Sequence, residues 1–148
     1  GKALGGGMPL GAFVSDKKIM DSLTYSPVLG HINTFGGHPV SCAAGYAAFK
    51  VLLDEKIIDD VRKKEQMFLT LLKHPLIKKV NSSGLMIAVE FENFETKKRI
   101  IDNLIERGVF TDWYLFASNA MRISPPLNIS NEDIITACNR IIGVLNEI

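Results

Sequence analysis

The sequence predicts an α/β chain whose later part is a small sheet covered by helices. Three observations carry this expectation. Leu85, Ile87, Val89 and Phe91 alternate with Met86, Ala88 and Glu90, the period of two expected of a half-buried strand. Apolar residues at helical spacing flank that strand, with Ile57, Val61, Phe68, Leu69 and Leu72 before it and Ile100, Ile101, Leu104 and Ile105 after it. Two aromatic or apolar runs, Val109–Phe116 and Ala120–Ser124, then precede a last helical stretch.

In chain order, the first forty or so residues read as loop-rich. Leu10–Val14 is a short apolar run after Pro9 and a candidate buried strand. Asp16 is placed to cap a short helix through Leu23, with Ile19, Met20 and Leu23 as its stripe. Thr24–Pro39 contains Pro27, Gly30, Gly36 and Gly37 and reads as one long loop, of a length usually either functional or poorly ordered. Val40–Asp54 is apolar nearly all round, with Lys50 its first charge, which predicts a helix buried on most sides, as between two domains. Lys56–His74 is amphipathic and Pro75 helps to end it.

After the strand at 85–91, Thr96–Arg107 is a helix stopped by Gly108. The runs at 109–116 and 120–124 suggest a hairpin around Ala117-Ser118-Asn119. Ser130 caps the final helix, where Ile134, Cys138, Ile141, Leu145 and Ile148 recur at near-heptad spacing and Ser130 and Asp133 have the offset of a capping box. The expected division is a first part, 1–54, and a small α+β domain, 55–148.

Composition narrows the function. The chain has 148 residues, 47% hydrophobic and 22% charged, enough to bury a core. Seventeen Lys and Arg against sixteen Asp and Glu leave +1, without the basic surplus a nucleic-acid partner requires. No apolar run approaches the roughly 20 residues that span a bilayer, so no membrane partner is expected. Two cysteines, Cys42 and Cys138, make neither a disulfide framework nor a metal set, and a reducing cytoplasm is the default. The chain opens without Met in a glycine run that has no signal-peptide pattern, and a preceding part of a longer protein is expected.

Three segments carry residue types suited to chemistry. Lys2 stands beside Gly5-Gly6-Gly7, but a phosphate loop places its lysine after the glycines, and a third dinucleotide-type glycine falls on Leu10. A lysine amine beside a glycine run also suits Schiff-base chemistry with an aldehyde; the simpler alternative is a solvated terminal lysine. Thr34, in Asn33-Thr34-Phe35-Gly36-Gly37-His38-Pro39, offers a hydroxyl just before a helix start, either as a phosphate cradle or as an ordinary turn. His31 and His38 lack neighbouring ligands for a metal. Arg122, in Met121-Arg122-Ile123-Ser124-Pro125-Pro126-Leu127, suits bidentate capture of a carboxylate; the alternative is an arginine paired with an acid at the sheet edge. Trp113, Tyr114 and Phe116 either line a channel or pack the sheet.

Together these motifs resemble the class III aminotransferases, the acetylornithine and ornithine aminotransferase family, from Lys2 to the C-terminus. The resemblance implies the C-terminal part of a fold-type I pyridoxal-phosphate-dependent transferase: the end of a large cofactor-binding domain with an interdomain helix, then the small domain with a short antiparallel sheet. It implies an enzyme that moves an amino group between an ω-amino compound of the ornithine or acetylornithine kind and a 2-oxo acid. Lys2 would form the Schiff base with pyridoxal 5′-phosphate, Thr34 would contact the cofactor phosphate across a homodimer interface, and Arg122 would bind a substrate carboxylate. Ile32 and His38 stand where family members commonly have Gly and Asn. The phosphate-gripping loop, the ring-stacking aromatic and the acid facing the pyridine nitrogen precede the lysine in the family. The 148-residue chain alone is therefore expected to be inactive or nearly so, without a stable cofactor. A non-catalytic folding or dimerisation module, and a phosphate-binding protein that uses the glycine loops without covalent chemistry, are the other readings.

Overall fold

A computed structural model describes residues 1–26, 28 and 31–148. Pro27 and Gly30, two of the loop signals named above, lie outside the described residues. The chain divides into a first unit, Gly1–Lys56, and a second, Ile57–Ile148. Among the described residues no helix is long and apolar enough to cross a membrane.

In the first unit, the Asp16 carboxylate accepts the Lys18 N–H at 2.8 Å and starts α1 (Lys17–Asp21), which runs into a 3-10 turn at Ser22–Thr24. The apolar stripe expected on α1 is largely in solvent, since Ile19 and Leu23 are exposed. Leu10–Val14 is not a strand: no strand pairs with it among the described residues, and Phe13 and Val14 are 74% and 90% exposed. Extended backbone without a ladder leaves its amides to water, so apolar composition alone did not make a strand here. α2 (Pro39–Asp54) forms where expected, with Pro39 in its first turn, where the missing N–H is harmless. It is not buried on most sides, however. Ser41 and Gly45 are its only buried residues, while Val40, Tyr46, Phe49, Val51 and Leu53 are exposed.

The second unit begins with a 3-10 turn, Ile57–Asp60, and α3 (Val61–Leu71), which starts five residues later than expected, after that turn, and ends three residues earlier because Leu72 already leaves helical geometry. Then come β1 (Lys79–Ser83), β2 (Met86–Glu90), α4 (Phe94–Glu106), β3 (Asp112–Tyr114), β4 (Ala117–Ile123) and α5 (Asn131–Leu145). The strands form one antiparallel four-stranded sheet in the order β1-β2-β4-β3. Gly84, at φ +60°, turns the two-residue connection between β1 and β2. β1 escaped the sequence reading because Lys-Val-Asn-Ser-Ser is polar, as suits an edge strand. The β3–β4 hairpin turns at Leu115–Phe116, ahead of the expected Ala117–Asn119, with an irregularity between Trp113 and Tyr114. Phe116 is fully exposed at that tip.

Two adjacent cross-strand rows organise the sheet. Val80, Val89, Met121 and Trp113 are successive partners, as are Asn81, Ala88, Arg122 and Asp112 one residue along. Neighbouring rows face opposite sides. Val89 and Met121 are completely buried in a core with Phe68, Ile100, Leu104, Ile134 and Ile141 from the helices. The polar row therefore lies on the face away from that core. Caps fix the helix starts: Asn93 accepts the Thr96 N–H at 2.9 Å, and Ser130 accepts the Asp133 N–H at 3.0 Å while donating to the Asp133 carboxylate at 2.7 Å. Gly108, at φ +75°, follows α4 as expected.

Glu65 of α3, almost wholly buried, accepts the Gly84 N–H at 3.1 Å and an Arg62 N–H at 2.9 Å, joining α3 to the β1–β2 turn. Hydrogen bonds from Ser82 first, then Arg62, hold its carboxyl below the usual carboxylate range. The folded state thus binds fewer protons there, so this stabilisation is present above the unfolded pKa and is lost as pH falls through the lowered one. Glu65→Gln is expected to lower stability at neutral pH by about 2 kcal/mol and to flatten the acid limb, as read by urea melts across pH. Cys138 is buried, which pushes its thiol up to about 11, whereas Cys42 is exposed. Alkylation of the native chain is expected to label Cys42 quickly and Cys138 only on unfolding.

Candidate functional site

The first unit carries Lys2 and Thr34. Lys2 is exposed on a turn held by hydrogen bonds from Gly6 N–H to Ala3 C=O at 3.1 Å and from Met8 N–H to Gly5 C=O at 3.0 Å. The Gly1 nitrogen lies 2.8 Å from the Leu10 carbonyl oxygen. Gly6, at φ +55°, lies against α2: a Cβ there would sit 2.9 Å from the Ala44 carbonyl oxygen and 3.0 Å from the Ala48 methyl. Gly45 reciprocates from the helix, where a Cβ would come within 2.4 Å of the Leu10 side chain and 2.9 Å of the Leu4 carbonyl oxygen. The loop bearing Lys2 is thus seated by backbone-close packing on small residues of α2.

Thr34 is exposed in the turn that leads into α2, with the Gly36 N–H on the Asn33 carbonyl at 3.4 Å and the His38 N–H on the Phe35 carbonyl at 3.3 Å. Gly37 closes this turn at φ +72°. His38 is the N-cap by backbone geometry, with no capping bond from its ring, and His31 Nδ1 lies 2.9 Å from the Leu23 carbonyl. Lys2 and Thr34 share no hydrogen bond. α2 is what they have in common: it supports the loop of one and follows the turn of the other.

Arg122 belongs to the second unit, on β4. Its Nη2 donates to Oδ2 of Asp112, its cross-strand partner on β3, so the sheet-edge pairing weighed as the alternative does occur. The guanidinium is not closed off, since the Arg122 and Asp112 side chains are 35% and 40% exposed. Asp112 and Arg122, with Ser124 and Pro125, also line a cleft of about 300 Å³ whose apolar lining includes Phe68 and Ile141. The aromatics divide by face. Tyr114 and Phe116 line a second recess of about 300 Å³ with Asn81, Ala88 and Glu90. Trp113 instead lies over the Lys97 ammonium at 5.4 Å, with the Phe94 ring at 4.3 Å on the same cation.

Sequence reasoning missed Asp112, Glu65 and Lys97. Lys97 is 1% exposed, and this burial, then the charge of Lys98, pushes its pKa down. Burial raises the Tyr114 phenol above its usual value; nearby Arg122 acts to lower it and Asp112 to raise it. Its hydroxyl donates to the Ile87 carbonyl at 3.3 Å.

The family pattern of the class-III aminotransferases matches residues 1–145, and the chain belongs to that family. Among individual proteins, it is 33% identical over 146 residues to the acetylornithine aminotransferase of Haemophilus ducreyi, covering 99% of this chain and 36% of that protein. It is 37% identical to the ornithine aminotransferase of Staphylococcus carnosus, over 95% of this chain and 35% of that protein. The crystal structure of acetylornithine aminotransferase from Elizabethkingia anophelis superposes with a TM-score of 0.78 at 29% identity, over 91% of this chain and 36% of that one. The ornithine aminotransferase of Toxoplasma gondii, with pyridoxal phosphate at partial occupancy in its active site, superposes at 0.73 with 32% identity, over 85% of this chain and 30% of that one. The chain thus spans little more than a third of the length of the curated relatives it matches.

Gly45→Ala tests the seating of the Lys2 loop. Alanine improves helix propensity by up to about 1 kcal/mol, yet its methyl collides with Leu4 and Leu10. Amide exchange is expected to rise across residues 1–12 while the second unit is unchanged.

Proposed function

We propose that the chain is the lysine-bearing part of a pyridoxal-phosphate-dependent aminotransferase acting on an ornithine- or acetylornithine-like ω-amino compound and a 2-oxo acid. The conjunction of the Lys2 loop, the Thr34 turn and Arg122 in a class-III family member carries this reading. Residues 1–54 are read as the end of the cofactor-binding domain and 55–148 as the small domain. The parent enzyme is read as a cytoplasmic homodimer, in keeping with the free thiols Cys42 and Cys138.

The residues present fit the cofactor. An exposed amine suits its aldehyde and an exposed hydroxyl its phosphate. When bound, pyridoxal phosphate supplies an electron sink for the bonds of the amino-bearing carbon. Lys2 Nζ would hold the cofactor and would take and return the proton at the substrate carbon. Thr34 Oγ1 would donate to the phosphate of a partner subunit's cofactor. Arg122 pairs with the substrate carboxylate and fixes the orientation of the carbon that reacts.

Pyridoxal phosphate followed by borohydride, then peptide mass spectrometry, tests the role of Lys2. A reduced adduct concentrated on Lys2 and absent from Lys2→Ala is expected. Uniform labelling of surface lysines would favour the non-catalytic folding or dimerisation module. The 148-residue chain by itself is expected to show little or no turnover of amino donors, because two exposed donors hold a cofactor weakly.

A further inference from the structure

We propose that the recess beside the β3–β4 hairpin tip binds a primary alkylammonium, its charge on Glu90 and its chain against Tyr114 and Phe116. The recess, of about 300 Å³, lies on the sheet face away from the core. It is built from the second unit alone, so its ligand is independent of the role read for Lys2. The volume stands at the lower end of small-molecule sites, roughly 300–1,000 Å³, and suits a small amine. Alanines make its floor. Ala88 on β2 and Ala120 on β4 stand beside Asn81, Glu90 and Arg122 on the same face, and their short side chains leave a depression between taller ones.

Glu90 supplies the charge. Its direct cross-strand partner is Lys79, yet among the described residues Glu90 forms no ion pair with Lys79 or with any other cation. Its Oε1 instead accepts from Asn81 Nδ2 at 2.6 Å, and Asn81 stands opposite Ala88. The half-buried carboxylate therefore leans along the strand toward the alanine floor, with Oε2 uncommitted among the described residues. Aromatic rings complete the walls. The Tyr114 ring is fixed by its hydroxyl, which donates to the Ile87 carbonyl at 3.3 Å, and Phe116 is fully exposed at the tip. A cation set between a carboxylate and aromatic faces is held by both. An anion would be repelled by Glu90, and a purely apolar ligand would bury that charge unpaired. A guanidinium binds best through parallel bonds to both carboxylate oxygens, and Asn81 already holds one, which favours the compact ammonium.

Glu90→Gln keeps an acceptor for Asn81 and removes the charge. The whole 148-residue chain, isotope-labelled for amide NMR, is titrated with n-butylammonium chloride at constant ionic strength while the Asn81 side-chain and Phe116 backbone N–H resonances are followed. A saturable shift is expected, with binding about tenfold weaker in Glu90→Gln and about threefold weaker in Phe116→Ala. n-Butanol, the same chain without the charge, and n-butylguanidinium are both expected to bind more weakly than the ammonium. A response undiminished by Glu90→Gln or by Phe116→Ala, or matched by butanol, overturns the proposal. Equal or tighter binding of butylguanidinium overturns it too, as does the absence of any saturable shift. Should circular dichroism show Glu90→Gln unfolded, Ala88→Leu, which fills the floor and leaves the carboxylate in place, is expected to abolish the response, and a response that survives it overturns the site.

Discussion

The register between β2 and β4 governs the second unit. Ile87 opposite Ile123 and Val89 opposite Met121 bring apolar side chains to one face, and Ala88 opposite Arg122 sends the guanidinium to the other. A slip of one residue would exchange the faces. It would drive Arg122 among Ile100, Leu104 and Ile141 without a partner and expose the side chains that now close the core, at a cost of several kcal/mol. Helix seating, the position of Asp112 and access to Arg122 all follow from this single alternation.

The first unit obeys a different constraint. Its contacts are made by backbone and small side chains, with Gly5, Gly6 and Leu10 brought against Ala44, Gly45 and Ala48. This places the Lys2 loop on one side of α2 and the Thr34 turn ahead of its first residue. Large apolar side chains contribute little to that arrangement, since Phe13, Tyr46 and Phe49 are exposed. A unit held by close approach of backbones tolerates little added volume, whereas the second unit, held by apolar burial, depends on volumes being retained.

The helices and β2 were legible because hydrophobic periodicity is a local property. β1 was not, because a polar edge strand has no such period, and its register is set by β2 and the Gly84 turn. The β3–β4 turn was displaced because Leu115 and Phe116 have strand-like composition but sit at an exposed tip. Leu10–Val14 failed as a strand for want of a partner. Lys2, Thr34 and Arg122 stood out in the sequence because each lies in a motif of recognisable order. Asp112 gave no such signal: it lies ten residues from Arg122 in the chain and meets it only through strand pairing.

The sequence by itself determined the helices, the alternation of β2, the family and the residue types available for chemistry, because these depend on neighbours three or four positions apart and on motif order. Only the tertiary structure decided that Glu65 ties α3 to a turn, that Lys97 is buried beneath two aromatic rings and that Arg122 is already paired with Asp112. Each of those depends on elements distant in sequence meeting across a sheet or a core, and such meetings are fixed by packing and register.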